Sequence, residues 1–160
     1  EADRESLASA AKKHGIDGIE LHRRQWLDLL MSMVIQPALP DRQLTFVYDY
    51  PAEQAALARV RQDSPPVAER FELYLGHTEL ANGYQELTDA AEQKQRFEIE
   101  NELRAQRGMD ACLIDEHLVS ALEHGLPECA GVALGVDRLL MAICGAADIS
   151  EVMAFPASRA

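Results

Sequence analysis

Residues 70–89, RFELYLGHTELANGYQELTD, decide the fold of this chain. The stretch predicts two extended segments joined by a tight turn at Gly76 and His77, because strand-forming residues stand on both sides of a glycine. Polar side chains occupy positions where an ordinary buried hairpin carries Val and Ile. They are Glu72, Glu79, Asn82, Tyr84 and Glu86. The stretch therefore predicts a hairpin that carries a functional site.

Glu72 and Glu79 are expected to point to the same side of this hairpin. With the turn at Gly76, Tyr74 faces Glu79 and Glu72 lies diagonal to it, and side chains two apart in a strand share a face. Two neighbouring carboxylates repel each other unless a cation or a proton lies between them. A hard cation such as Mg²⁺, shared with substrate phosphates, fits this position. The alternative is that both glutamates are exposed on an open sheet face.

Asn82, Tyr84 and Glu86 also alternate, but strict alternation puts them on the face opposite Glu79. One extra residue, a β-bulge around residues 81–83, brings both sets to one face, and the glycine in that range favours a bulge. The combined face suits a lysine-like ligand. Asn82 would donate to its carboxylate, Tyr84 would pack against its methylenes and Glu86 would pair with its terminal amine.

A second stretch, GVALGVDR at residues 131–138, is the other candidate for the site. Gly131 and Gly135 are expected to leave room for a flat ligand against the backbone. Arg138 stands in the first turn of a predicted helix, where an arginine can clamp a phosphate. A structural pairing of Asp137 with Arg138 is an equally good interpretation of the string by itself.

The composition is that of a soluble globular protein, 48% hydrophobic and 26% charged. No apolar run approaches the ~18 residues needed to span a bilayer, and the polar amino terminus is not a secretory signal, so we expect a cytoplasmic protein.

The three widely spaced cysteines predict reduced thiols. With 27 acidic and 15 basic residues, the net charge of −12 repels nucleic-acid backbones but does not argue against Mg²⁺-bound ATP.

Local signals predict the remaining elements. We expect helices in residues 1–36, ended by glycine near residue 15 and by Pro37, and a long polar helix that begins at Thr88-Asp89 and ends near Arg107. The other predicted elements are strands at 44–50, 67–75, 130–135 and 152–156 and helices at 52–60, 115–124 and 136–144.

Four strings in this order resemble the carboxy-terminal half of the catalytic domain of class II lysyl-tRNA synthetases: RFELY, ELANGYQELTD, GVALGVDR and FPASR. GVALGVDR matches motif 3 of that class, and the resemblance covers roughly residues 44–160. It implies an α+β fold, a mostly antiparallel sheet flanked by helices. Within this group the chain is similar to the elongation factor P β-lysine ligases, which activate β-lysine with ATP and transfer it to a lysine of elongation factor P.

The resemblance implies a role for each candidate residue. Glu72 and Glu79 would be metal ligands for ATP-bound Mg²⁺, and Arg138 would be the catalytic residue that contacts the phosphates. The backbone at Glu79-Leu80 and Gly135 would line the nucleotide. Asn82, Tyr84, Glu86 and Ala133 would bind the amino acid.

Ala133 helps to choose between the two relatives. Lysyl-tRNA synthetases typically have Gly at this position. A methyl group there would crowd the α-amino group of ordinary lysine, whereas a β-amino acid places its amine elsewhere. A change of this size is worth only ~1–3 kcal/mol. The net charge of −12 also favours a protein acceptor over tRNA.

Motifs 1 and 2 of the class, with the arginine that holds the α-phosphate, are expected to precede residue 1, since nothing in residues 1–40 resembles them. We therefore interpret the chain as one domain's carboxy-terminal part, helical in 1–40 and carrying the site in 44–160, and expect it to be inactive alone.

The full-length protein would be a homodimer with elongation factor P as acceptor. The alternatives are a lysyl-tRNA synthetase fragment that charges tRNA and a non-catalytic regulatory module.

Overall fold

A computed structural model describes residues 2–156 and has the predicted α+β architecture. The helices in this range are α1 (Arg4–Lys13), α2 (Arg23–Leu30), α3 (Ala90–Gln106), α4 (Glu116–His124) and α5 (Val136–Cys144). The strands are β1 (Leu44–Pro51), β2 (Val60–Arg61), β3 (Val67–Leu75), β4 (Thr78–Gln85) and β5 (Ala130–Leu134). Among these residues no helix combines the length and the apolar character needed to cross a membrane.

The strands form one sheet in the order β1-β3-β4-β5, and β2 pairs with β3. The β2–β3 pair is antiparallel, with Val60 opposite Ala68 and Arg61 opposite Val67. The chain forms two compact units. The described part of the first comprises residues 2–48, 71–82 and 132–156, and the second comprises residues 49–70 and 83–131.

In the first unit, α1 and α2 pack around a small apolar core. The core consists of Leu7, Ala11, Trp26 and Leu30, all buried. Asp3 begins α1, because its carboxylate accepts a 2.8 Å hydrogen bond from the Ser6 amide. The second helix of this segment, predicted over residues 20–36, begins at Arg23 and continues past Leu30 as a π-helical turn and a 3₁₀ turn that ends at Ala38.

The turn of the predicted hairpin lies in the first unit, and its position at Gly76 is confirmed. Gly76 has φ +55°, a left-handed conformation that glycine adopts at low cost. The segment before β1 holds the turn in place: the Gly76 amide donates to the Gln43 carbonyl at 3.3 Å, and Gln36 Nε2 donates to the His77 carbonyl at 2.7 Å.

In the second unit, two helices begin at aspartates that cap them. Asp89 accepts from the Glu92 amide at 2.9 Å and begins α3, and Asp115 accepts from the amides of His117 and Leu118 and begins α4. Both starts were predicted. The polar helix α3 also carries a buried residue that the sequence did not reveal, Gln93, whose Nε2 has no hydrogen-bond partner among the described residues.

The helix predicted for residues 52–60 is wrong. Only Ala52–Gln54 form a 3₁₀ turn, and Ala56 then takes a positive φ of 51°. The following residues pair with another segment: the Leu87 amide donates to the Leu57 carbonyl at 3.0 Å, and the Arg59 amide donates to the Gln85 carbonyl at 2.9 Å. Pairing between distant segments has therefore overridden the helix propensity of the alanines.

The strand predicted for residues 152–156 is also wrong. A 3₁₀ turn at Ile149–Glu151 precedes it, and residues 152–156 join none of the five strands described. The turn is stable because Glu151 Oε1 accepts hydrogen bonds from the amides of Ala147 and Asp148. The end of the FPASR string, residues 157–159, lies outside the described residues.

Candidate active site

Glu72 is a buried carboxylate in the first unit, 9% exposed. The hydroxyl of Tyr74, which is 3% exposed, donates a hydrogen bond to Glu72 Oε2. A buried carboxylate needs such donors because the loss of its hydration is otherwise uncompensated. The alternative of an open face with both glutamates exposed is therefore wrong for Glu72, and Glu79 is half-buried.

The motif 3 segment is bonded to the start of β4 through two backbone carbonyls of the first unit. Arg138 Nη1 donates to the Glu79 carbonyl at 2.9 Å, and the Gly135 amide donates to the Leu80 carbonyl at 2.9 Å. The alternative pairing of Arg138 with Asp137 is absent from the described ion pairs. These bonds bring the candidate phosphate-binding arginine to the backbone of a candidate metal ligand.

The side chain of Arg138 packs against Gly135. A Cβ at Gly135 would stand 3.4–3.6 Å from the aliphatic carbons of Arg138, so the arginine lies along the glycine. A guanidinium has five N–H donors, and the bond to Glu79 uses one. Arg138 is exposed, which leaves it accessible to a ligand phosphate.

An apolar cavity of about 480 Å³ lies in the first unit, beside α5. The side chain of Arg138 contributes the charge to an otherwise mostly apolar lining. The other lining residues are Leu75, Thr78, Leu80, Met141, Ala142, Gly145, Ala146 and Ile149. The sequence did not predict this cavity, because it depends on how α5 packs against residues of the hairpin.

The alternation of buried and partly exposed residues along β4 is interrupted within the strand. Leu80 and Ala81 are both buried, at 4% and 5% exposure, whereas Glu79 before them and Asn82 after them are half-buried. An extra residue in the strand produces such a change. Two consecutive buried residues also arise where both faces of a strand are covered, so the bulge around residues 81–83 stays a prediction.

In the second unit, the carboxylate of Glu86 occupies the space above Gly131. A Cβ added to Gly131 would overlap Glu86 Oε1. The expectation that Gly131 leaves room for a flat ligand is therefore wrong, because the protein's own carboxylate fills that space. The backbone of Glu86 is fixed nearby by a 3.0 Å hydrogen bond from its amide to the Cys129 carbonyl.

Tyr84, also in the second unit, keeps its proton at neutral pH. Burial raises the pKa of its phenol, the charge of Glu86 raises it further and the charge of Arg70 opposes both. Arg70 itself lies 4.6 Å above the centre of the Tyr50 ring and donates to the Gln54 carbonyl at 2.9 Å. The sequence did not identify Arg70 as a neighbour of Tyr84.

The chemistry of the donors fits a magnesium ion at Glu72 and Glu79, since Mg²⁺ prefers hard oxygen ligands and Tyr74 orients one of the two carboxylates. Among the described residues, no group of three or more His, Cys, Asp or Glu side chains could hold a metal ion. The prediction requires only two carboxylates, with ATP phosphates as further ligands, and it stays a prediction.

Comparison with protein families matches residues 19–159 to the family described as tRNA synthetases class II (D, K and N). The match begins at residue 19, well before residue 44, so α2 belongs to it as well, whereas α1 precedes it. Several curated relatives bear the name elongation factor P–(R)-β-lysine ligase. Those of Edwardsiella ictaluri and Photorhabdus laumondii are each 48% identical over 99% of the chain, and that of Salmonella arizonae is 47% identical. The chain spans about half the length of these relatives.

Proposed function

The chain belongs to the class II tRNA synthetases (D, K and N), and from this we propose that its protein activates a lysine-type amino acid, β-lysine, with ATP. The product of this step is an acyl-adenylate, with pyrophosphate as the leaving group. The protein would then transfer the β-lysyl group to a lysine of elongation factor P. The names of the relatives support this acceptor, because each describes a ligase that acts on elongation factor P.

The hydrogen bond from Arg138 to the Glu79 carbonyl is the observation that carries the proposal. It brings a fixed positive charge to the segment that bears a candidate metal ligand. A preorganised cation of this kind stabilises the charge that develops on a phosphate as the leaving group departs. We therefore assign Arg138 to the ATP phosphates, with the backbone of Leu80 and Gly135 beside the nucleotide.

Glu72 and Glu79 are the residues that would hold Mg²⁺ with ATP. When bound, Mg²⁺ would neutralise phosphate charge during attack of the amino-acid carboxylate. Tyr74 keeps the carboxylate of Glu72 oriented before ATP arrives, because its hydroxyl is already hydrogen-bonded to it. This positioning lowers the reorganisation needed when the metal binds.

Asn82, Tyr84 and Glu86 are assigned to the amino acid, with Ala133 limiting the space near its amine. The protonated phenol of Tyr84 adds no negative charge, so Glu86 supplies the anion for the terminal ammonium. A charge-assisted bond of this kind is stronger than a neutral one. The methyl of Ala133 supports β-lysine over α-lysine, because it would crowd the α-amino group of α-lysine.

We further propose a cytoplasmic homodimer that does not use tRNA. The net charge of −12 supports a protein acceptor, because such a field repels a phosphate backbone. Charging of tRNA with lysine is the second candidate function, and the family match to tRNA synthetases favours it. A non-catalytic regulatory module is the third, and it has no need of metal ligands at Glu72 and Glu79.

An acceptor assay separates these candidates. The protein expressed from its complete gene is incubated with ATP, Mg²⁺ and either β-lysine or α-lysine, together with elongation factor P or lysine tRNA. The proposal predicts that elongation factor P gains the mass of one β-lysyl group and that the tRNA stays uncharged. Charging of the tRNA alone would establish the second candidate, and no transfer to either would favour the third.

A further inference from the structure

The space above Gly131 is filled by the protein itself. A Cβ at this position would overlap Glu86 Oε1 and would stand 3.6 Å from the carboxylate carbon. Gly131 is not among the residues with positive φ, so its backbone conformation is open to any residue. Glycine is needed here for space and not for conformation.

Glu86 cannot retreat from a larger residue by moving its backbone. On one side its amide donates to the Cys129 carbonyl at 3.0 Å. On the other side Glu86 forms a bridge with Ala58, flanked by the hydrogen bonds from Leu87 to Leu57 and from Arg59 to Gln85. Rotation of the Glu86 side chain is therefore the smallest change that accommodates a side chain at position 131.

We propose that Gly131 is a specificity-determining residue that sets where the carboxylate of Glu86 binds the substrate's terminal ammonium. This inference rests on the proposed function, in which Glu86 binds that ammonium. With glycine at position 131 the carboxylate rests against the backbone of β5, and the distance to the rest of the substrate is fixed. With alanine the carboxylate is displaced, and a ligand of lysine length no longer reaches its partner.

The inference predicts a selective loss in Gly131→Ala. The KM for β-lysine should rise about 10- to 200-fold, the range for a misfit of one methylene. The KM for ATP should stay within about twofold, because Gly131 contacts the carboxylate and not the nucleotide residues. Val132→Ala is the matched control on the same strand, since Val132 is 63% exposed and should change neither constant.

Shortening the acidic side chain supplies the decisive comparison. In Gly131→Ala/Glu86→Asp the carboxylate lies one methylene closer to its own backbone and clears the added methyl. Glu86→Asp alone should also raise the KM for β-lysine, but the double variant should bind better than the product of the two single effects predicts. Non-additivity of this sign is expected of residues in contact and not of distant, independent sites. If the KM increases of the two single variants simply multiply in the double variant, the inference is overturned.

The test uses pyrophosphate exchange dependent on β-lysine, with the protein from its complete gene, and a melting curve of each variant. If the parent shows no exchange with any lysine-type amino acid, the proposed function fails. The melting curves then test the contact between Gly131 and Glu86 independently of activity. Gly131→Ala should melt at a lower temperature than Val132→Ala, and adding Glu86→Asp to Gly131→Ala should restore part of the lost melting temperature. Unchanged KM in Gly131→Ala of an active protein, or additive melting shifts, contradicts the inference.

Discussion

The hydroxyl of Tyr74 donates a hydrogen bond to the carboxylate of Glu72, and both side chains are buried. The two residues stand two apart in β3, so the alternation of the strand places them on one face. The carboxylate assigned to the metal is thus held by the fold before any ligand binds. A change at Tyr74 should therefore affect stability and metal dependence together.

Tyr74→Phe should lower the free energy of unfolding by about 1–3 kcal/mol, because a buried carboxylate loses a donor. The same change should raise the Mg²⁺ concentration needed for half-maximal exchange. Urea unfolding and a magnesium titration measure the two effects. Tyr48→Phe is the matched control, since Tyr48 is 69% exposed and should change neither. An unaltered magnesium requirement in Tyr74→Phe would remove Tyr74 from the site.

Glu69 should make stability depend on pH. Arg59 Nε donates to its carboxylate at 2.5 Å, and this bond, with the charges of Arg59 and Arg61, lowers the pKa of Glu69 from its ordinary value of 4.5. The unfolded chain binds the proton more readily, so this contribution is present above pH 4.5 and is lost as the pH falls through the folded pKa.

The test compares the parent protein with Glu69→Gln by urea unfolding at neutral pH and at a pH below the folded pKa. The variant should be less stable at neutral pH, and the difference should shrink in acid. Glu128→Gln serves as the control, because Glu128 also accepts from Arg59, at 3.1 Å, but its side chain is 79% exposed. If the difference in unfolding free energy between the parent and Glu69→Gln is the same at both pH values, protonation of Glu69 does not affect stability.

Glu86→Gln should separate the two substrates. Loss of the negative charge should raise the KM for β-lysine by about 10- to 100-fold, the range for a hydrogen bond to a charged group. The KM for ATP should change little. Steady-state exchange kinetics measure both constants, and Glu123→Gln on the exposed side of α4 is the control. An equal loss for both substrates would refute the assigned division of roles.

Ala133→Gly should move the preference toward α-lysine. Removal of the methyl relieves crowding of the α-amino group and should change the ratio of kcat/KM for α-lysine and β-lysine by an amount equivalent to ~1–3 kcal/mol. The ratio is measured in the same exchange assay with each amino acid in turn. If the ratio is unchanged, Ala133 does not discriminate between the two.

Local signals in the sequence predicted the elements that carry the site. The ends of β3 and α5 agree with the prediction, because Gly76 and Gly145 both take positive φ immediately after them. The capping aspartates likewise mark the starts of α3 and α4. Such signals are readable because each acts within a few residues of the element that it ends or begins.

Contacts between distant segments were not predictable in the same way. The alanines of residues 52–60 favour a helix locally, but pairing with residues 85–87 decides their structure. The overlap of Glu86 with the space above Gly131 depends on how β4 and β5 pair. Neither contact produces a local sequence pattern. Each depends on how two segments far apart in the chain align with each other, and neighbouring residues do not reveal that alignment.

The most direct test of the account is pyrophosphate exchange by the protein from its complete gene, with ATP and Mg²⁺ and with β-lysine or α-lysine as the amino acid. We predict exchange that requires the amino acid, is faster with β-lysine and is abolished in Arg138→Ala. Exchange that is absent with both amino acids, or that persists undiminished in Arg138→Ala, would contradict the proposed function.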